Sequence, residues 1–270
     1  MSPSDLSRVD FRRLPDVKVC TEPGAIRDIV MASPDSLLLS NGTKKSIQHV
    51  DSRTGSTLSE VSTPYGPWGI CMVGGELAAV TYGGLNKLQL VHVRGGQLIP
   101  GTVLGVKERC WGVAGSGDNV VVSYISPPRL EVMNTDGRVL HQYQDPGAAH
   151  TFQFPQFLTT SRDGFIYVAD QLLSTINKLD SSLKVLRTFS DPQLGGLKGI
   201  TLVGDGQLLV CSYFNNSIEH VNVNSGKMTT ILGKADGIVS PRSLAYCPQQ
   251  RKLFVCTENN TDSIQVYQID

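Results

Sequence analysis

The chain has 270 residues, 40% hydrophobic and 18% charged, with 24 Lys and Arg balanced by 24 Asp and Glu. A net charge of zero removes the long-range attraction that draws strongly basic proteins to nucleic acid or anionic membranes, leaving that work to local patches. No 18-residue apolar stretch is present and no apolar signal segment follows Met1, which argues against a membrane span and against secretion.

From the N-terminus, an extended stretch at 9–19 comes first. Leu37–Ser40 is then the first of six short apolar β-runs that each end on a small or polar residue. The others are Leu77–Thr81, Val120–Ser123, Phe165–Ala169, Leu208–Cys211 and Leu253–Cys256. Their last large apolar residues fall at 39, 80, 122, 168, 210 and 255, at intervals of 41, 42, 46, 42 and 45. Repeats of about 40–50 residues built from short strands indicate a β-propeller with four strands per blade.

The fourth repeat divides into Phe157–Thr160, the turn Arg162-Asp163-Gly164, Phe165–Ala169, Thr175–Leu179 and Lys184–Phe189. The fifth divides the same way, with Ile200–Val203, Gly204-Asp205-Gly206, Gln207–Ser212, Ser217–Val223 and Lys227–Leu232. Asp or Asn with Gly between alternating runs signals hairpins, because glycine supplies the positive φ of tight turns. The sixth repeat stops after Ser263–Tyr267, with no room for an outer strand. An open blade would leave unpaired strand edges, so the stretch at 9–19 is expected to supply that strand. The expectation is all-β: a six-bladed β-propeller of four-stranded blades, closed by the N-terminal segment, with 1–270 as one domain of a longer protein. No long window has a 3.6-residue apolar period, so little helix is expected.

Cys20, Cys71, Cys110, Cys211, Cys247 and Cys256 lie singly, mostly in or beside apolar runs, and form no C-x-x-C pair. They read as buried thiols rather than disulfides or metal ligands, which favours a reducing, cytoplasmic compartment. The N-x-S/T sequons at Asn41, Asn215 and Asn259 carry no weight without a secretory signal. G-x-S-x-G, the phosphate-loop motif and H-E-x-x-H are all absent. His49, His92, His141, His150 and His220 fall at no ligand spacing, and read as surface or strand histidines. Asp163 and Asp205 read as turn residues bonding their own backbone.

Ser161-Arg162-Asp163-Gly164-Phe165-Ile166-Tyr167-Val168-Ala169-Asp170 resembles the core of an NHL repeat, "D-G-x-I-Y-V-A-D". Ile176-Asn177-Lys178-Leu179-Asp180 resembles that family's "I-x-x-F-D" strand, and Leu183 to Phe189 its outer strand. The fifth repeat keeps Lys198-Gly199-Ile200 and Asp205 to Val210. Pro67-Trp68-Gly69-Ile70 matches the "P-x-G-I" that opens the inner strand, and only its proline persists at Pro155 and Pro241. The resemblance covers about a third of the chain. It implies a propeller like those at the C-terminus of tripartite-motif ubiquitin ligases, which bind partner proteins or single-stranded RNA.

Equivalent positions of the repeats can be compared. Two residues before the inner-strand "I" position stand Arg27, Trp68, Trp111, Gln156, Lys198 and Arg242, and the second strands end beside Tyr82, Tyr124 and Tyr213. A face with three cations, both tryptophans and no acid suits stacked bases with phosphate contacts. It equally suits a protein hot spot. Protein recognition is the first expectation and single-stranded RNA the second, without cofactor, metal or catalysis in this domain. The enzyme alternative is a lactonase- or esterase-type propeller. Such a propeller holds a hard cation near its axis with oxygen ligands, for which Asp28, Asp170 and Glu258 are the nearest carboxylates, opposed by the cations of the ring.

Overall fold

The computed structural model describes residues 6, 9–19, 26–83, 85–143, 151–204, 206–258 and 262–270. Cys20, His150, Asp205 and Asn259 lie outside them. Three sheets are plain four-stranded meanders. They are β2 (Ile26–Ser33) to β5 (Thr57–Ser62) through β3 (Ser36–Asn41) and β4 (Ser46–Asp51); β13 (Pro155–Thr160) to β16 (Val185–Ser190) through β14 (Ile166–Asp170) and β15 (Thr175–Leu179); and β17 (Leu197–Leu202) to β20 (Met228–Leu232) through β18 (Gln207–Ser212) and β19 (Ser217–Asn222). A fourth joins β21 (Pro241–Cys247), β22 (Lys252–Thr257) and β23 (Ser263–Ile269) to β1 (Phe11–Lys18). Phe11 pairs with Ile269 and Lys18 with Ser263, so the outer strand of this sheet comes from the other end of the chain.

The stretch 70–142 departs from the expected separate blades. β6 (Ile70–Val73), β7 (Leu77–Thr81), β8 (Leu85–Arg94), β9 (Gln97–Ser116), β10 (Asn119–Ile125), β11 (Pro128–Asn134) and β12 (Val139–Gln142) form one seven-stranded sheet. The cause is β9. Its 20 residues stay extended, pairing with β8 through 97–105 and with β10 through 110–116. The molecule is therefore an all-β propeller with four-stranded blades, two of whose repeats share a strand. No α-helix occurs among the described residues.

The apolar runs occupy the second strands of their meanders. β3 and β18 are buried along their whole length, as is β14. A strand covered on both faces has no solvent side to alternate toward, so its sequence is continuously apolar. Outer strands alternate or lie open, as in β5 and in the fully exposed β12. The core is divided among the seams between neighbouring sheets. Leu38 and Ile47 pack on Val80 and Val91, and Ile29 and Leu39 pack on Phe254 and Ile264. Each such side chain contributes about 1.5–3 kcal/mol when fully buried.

The small or polar residue ending three of the runs has a bonding role. Ser40 Oγ donates to the Trp68 carbonyl at 2.6 Å. Thr81 Oγ1 accepts from Gly69 N at 3.0 Å and donates to the Trp111 carbonyl. Ser123 Oγ accepts from Gly112 N at 2.9 Å. Each hydroxyl joins a second strand to its own inner strand, and those of Ser40 and Thr81 also reach the start of the next one. Residues of β2, β6, β9, β13, β17 and β21 line one central cavity of about 220 Å³. Adjacent inner strands approach closely at glycines: a Cβ on Gly199 would lie 2.6 Å from Ser243 Cα.

The turn chemistry differs from expectation at Asp163. Its turn is closed by Ser161, whose Oγ accepts from Phe165 N at 3.0 Å and whose carbonyl accepts from Gly164 N at 3.0 Å. The expected side-chain role falls to residues ending third strands. Asp51 accepts from the amides of Arg53 and Thr54, Asp180 from Ser182 and Lys184, and Asn222 from Asn224 and Ser225. The amide of Thr54 leads the bonds that hold the Asp51 carboxyl below its ordinary value, and the Ser182 hydroxyl leads at Asp180.

Candidate functional site

Antiparallel pairing alternates chain direction, so loops entering inner strands and loops leaving second strands gather on one face. Bonds between them fix that face. Thr63 N donates to the Lys45 carbonyl at 2.7 Å, Gly196 N to Ser174 Oγ at 3.2 Å, and Ser240 N to Asn216 Oδ1 at 2.9 Å. Asp170, fully buried, ties two loops together by accepting from the amides of Gln153, Phe154, Leu172 and Leu173 at 2.7–3.1 Å.

Five of the six ring residues from the sequence meet at the cavity's rim in two linked groups. On one side the rings of Trp68 and Trp111 meet edge to face, with centroids 4.7 Å apart, and Trp111 lies 6.3 Å from Phe154. Arg27 and Arg242 both stack on the Trp68 ring, their guanidinium carbons 4.9 and 5.0 Å from its centroid. Arg242 also donates from Nε to the Arg27 carbonyl at 3.1 Å. On the other side Glu258 collects three donors: Lys198 Nζ at 2.6 Å, the Tyr213 hydroxyl at 2.7 Å, and an Arg242 guanidinium nitrogen. Lys198 Nζ sits 3.4 Å above the Tyr213 ring.

Electrostatics separate these cations. Lys198 and Arg242 are 7% and 5% exposed and share Glu258, whereas Arg27 is half-buried and pairs with no carboxylate among the described residues. Burial alone would raise the Glu258 carboxyl, but bonds from Lys198 and Tyr213 and the charges of Lys198 and Arg242 hold it below its ordinary value. Burial, with the nearby Arg242, draws the Lys198 ammonium down, although Glu258 opposes this. Asp28 lines the cavity beneath the rim and accepts from Ser243 Oγ at 2.6 Å and from the amides of Ile29 and Ile70 at 3.0 Å. Burial pushes its carboxyl up to about 6 against those bonds and the charge of Arg242.

The remaining predicted positions need correction. Tyr82 and Tyr124 are 1% and 0% exposed and bond Gln89 and Glu131 within their own sheet, so neither is available on the face. Arg129 covers the Tyr124 ring, its guanidinium carbon 4.2 Å from the centroid. Gln156 is buried and lines the cavity wall. Tyr213 alone of the three tyrosines reaches the rim. The ring is also less basic than its sequence positions implied, because Glu258 lies within it.

The three carboxylates weighed for a metal are engaged elsewhere: Asp170 on loop amides, Glu258 on cations, and Asp28 on Ser243 and two amides. Among the described residues no group of three or more His, Cys, Asp and Glu side chains is placed to hold a metal ion. The five described cysteines are buried and unpaired, and burial raises the thiols of Cys71, Cys211 and Cys256 well above their ordinary value.

Sequence reasoning missed the apolar rim. Phe214 and Leu172, in loops leaving second strands, are 68% and 65% exposed, and Tyr65 is 42% exposed in a loop entering an inner strand. Phe214 is seated against Gly196, in the left-handed region at φ 61°, and stacks edge to face on Tyr213 with centroids 5.5 Å apart. A phenylalanine or leucine beside Asn-Asn or Gln in a turn was the available signal.

No family model matches the chain, and no curated protein matches it. Among solved structures it is similar to streptogramin B lyase, at 12% identity and TM-score 0.72, over 99% of this chain and 100% of that one. It is also similar to a protein of unknown function from Bacteroides thetaiotaomicron, at 13% identity and TM-score 0.74, over 95% of this chain and 72% of that one. A third likeness is to hydrazine synthase of Kuenenia stuttgartiensis, at 18% identity and TM-score 0.65, over 88% of this chain and 75% of that one. At these identities what the chain shares with them is the β-propeller fold.

Proposed function

We propose that residues 1–270 form one six-bladed ring, closed by β1, whose loop face recognises a partner protein. The six-blade count takes the seven-stranded sheet as two blades fused through β9. It is supported by the six inner strands around one cavity and by six buried apolar clusters. The pairing of β1 with β23, and the cluster joining Val17, Ile29 and Phe254, support closure.

The observation that carries the functional reading is the rim itself. Half-buried tryptophans flanked by arginine, on the same loop face as the exposed Phe214 and Leu172, have the composition of a protein hot spot. The domain binds rather than catalyses, needs no cofactor, and works in the reducing cytoplasm; its buried free thiols favour that compartment. Among the described residues no helix is long and apolar enough to cross a membrane. Following the NHL-like motif, we assign it as the recruiting module of a tripartite-motif ubiquitin ligase.

Photo-crosslinking side chains at Leu172 or Phe214, with one at Asp118 on the opposite face as control, test this in cells. Protein adducts specific to the loop face are expected. Equal adducts from both faces, or RNA adducts instead of protein, would overturn the reading.

A further inference from the structure

We infer that the corner formed by Arg27 and Trp68 seats a carboxylate of the partner, an Asp or Glu side chain or a chain terminus, as the anchor of the face. This rests on the recognition reading above and names the chemistry that the face selects.

Two independent observations meet at this corner. The first is charge. Of the three cations at the rim, Lys198 and Arg242 are buried and bonded to Glu258, while Arg27 lies against the Trp68 ring with no hydrogen-bonded anion among the described residues. Its fork of N–H donors is held over the indole, and planar bidentate recognition of a carboxylate is the interaction for which that geometry is suited. The second is an unanswered donor. Trp68 Nε1 is a buried N–H with no hydrogen-bond partner among the described residues. A buried polar atom left unpaired costs free energy, and a carboxylate oxygen reaching the indole edge as it engages the Arg27 fork would satisfy it.

The same observations favour a peptide over a nucleic acid. A phosphate backbone needs a track of cations. Among the described residues, the rim and the cavity below it hold three cations against the two carboxylates Glu258 and Asp28, which leaves a surplus of one. That one guanidinium matches one carboxylate. Phe214 and Leu172, on the same loop face, supply apolar surface for other residues of the peptide.

The test is selection of a random phage-displayed peptide library on the folded domain, followed by synthesis of the peptides retained. Peptides sharing an Asp or Glu are expected. Its replacement by the amide, or Arg27→Gln in the domain, should each weaken binding at least about 10-fold, and the two together little more than either alone. Arg27→Lys, which keeps the charge and loses the fork, should fall between. Melting temperatures of both variants should match the wild type. Both tryptophans of the chain sit at this corner, so binding should also change the intrinsic fluorescence.

Peptides that bind, depend on Phe214 by Phe214→Ser, and ignore Arg27→Gln would overturn the carboxylate anchor while leaving the recognition face standing. Peptides indifferent to both substitutions, or none retained, would overturn the face and the anchor together. Arg27-dependent binding of a single-stranded oligouridylate in place of peptide would also overturn the anchor, with phosphate as the ligand.

Discussion

Replacing Asp28 by asparagine should shift the stability of the protein differently at acid and neutral pH. The carboxyl lies against the central cavity, and burial raises it from 3.8 to about 6. Across that window the native state holds a proton that the unfolded chain has released. Wild-type stability due to this group therefore falls as pH rises from about 4 to about 6. The full effect of a shift of roughly two units is about 3 kcal/mol, of which about 2 kcal/mol develops between about pH 4.5 and about pH 7.5. Asparagine does not titrate. Its single acceptor oxygen forfeits part of the bonding to Ser243, Ile29 and Ile70 at both pH values, which shifts the comparison without changing its slope. Urea unfolding of both proteins at the two pH values gives the double difference. Contributions from every other carboxyl, including the opposite-signed Glu258, cancel in it. Asp28→Asn should gain about 2 kcal/mol on the wild type between the acid and the neutral measurement. An unchanged difference would refute the assignment of a buried, raised carboxyl.

Two further outcomes follow from the packing. Deleting residues 1–20 removes β1, opens the edge of β23 and uncovers Ile264 and Val266; the product should aggregate or unfold, and a monomer of unchanged melting temperature would refute the role of β1. Gly199→Ala should cost about 1–3 kcal/mol in urea unfolding, because its Cβ would meet the Ser243 Cα and Leu244 N of the next inner strand at 2.6 and 3.1 Å, and an unchanged midpoint would show that the strands can move apart.

The repeat was legible because burial on both faces leaves a continuous apolar run at each second strand. Even the terminal Ser40, Thr81 and Ser123 mark where a second strand ends and bonds an inner-strand segment. Strand ranges such as Thr175–Leu179 and Gln207–Ser212 match because sharp turns bound them. β9 was not legible: the spacing of the apolar runs carries no sign that 97–116 stays extended, and the strand accommodates Pro100, Gly101 and Gly105 in irregular pairing with β8. At the site, comparing equivalent positions found Arg27, Trp68, Trp111, Lys198 and Arg242. In the sequence Glu258 figures only as a carboxylate weighed for a metal; its bond to Lys198, 60 residues away, was not legible. Tyr82 and Tyr124 stand two residues after the last large apolar residue of their runs and Tyr213 three after, so strand alternation turns the first two inward onto Gln89 and Glu131.

The sheet that joins the two chain ends has a mechanical consequence. β1 and β23 run antiparallel, with Phe11 opposite Ile269, Asp270 N donating to the Asp10 carbonyl at 3.1 Å, and Arg12 Nε 3.4 Å from the Asp270 carboxylate. Tension applied across the two termini would therefore load the ladder from one end and part its bonds one after another, as a zipper opens. A shearing geometry would instead share the load among all of them. Pulled by its ends, this propeller yields first where its chain begins and finishes, at low force, while the other sheets remain intact.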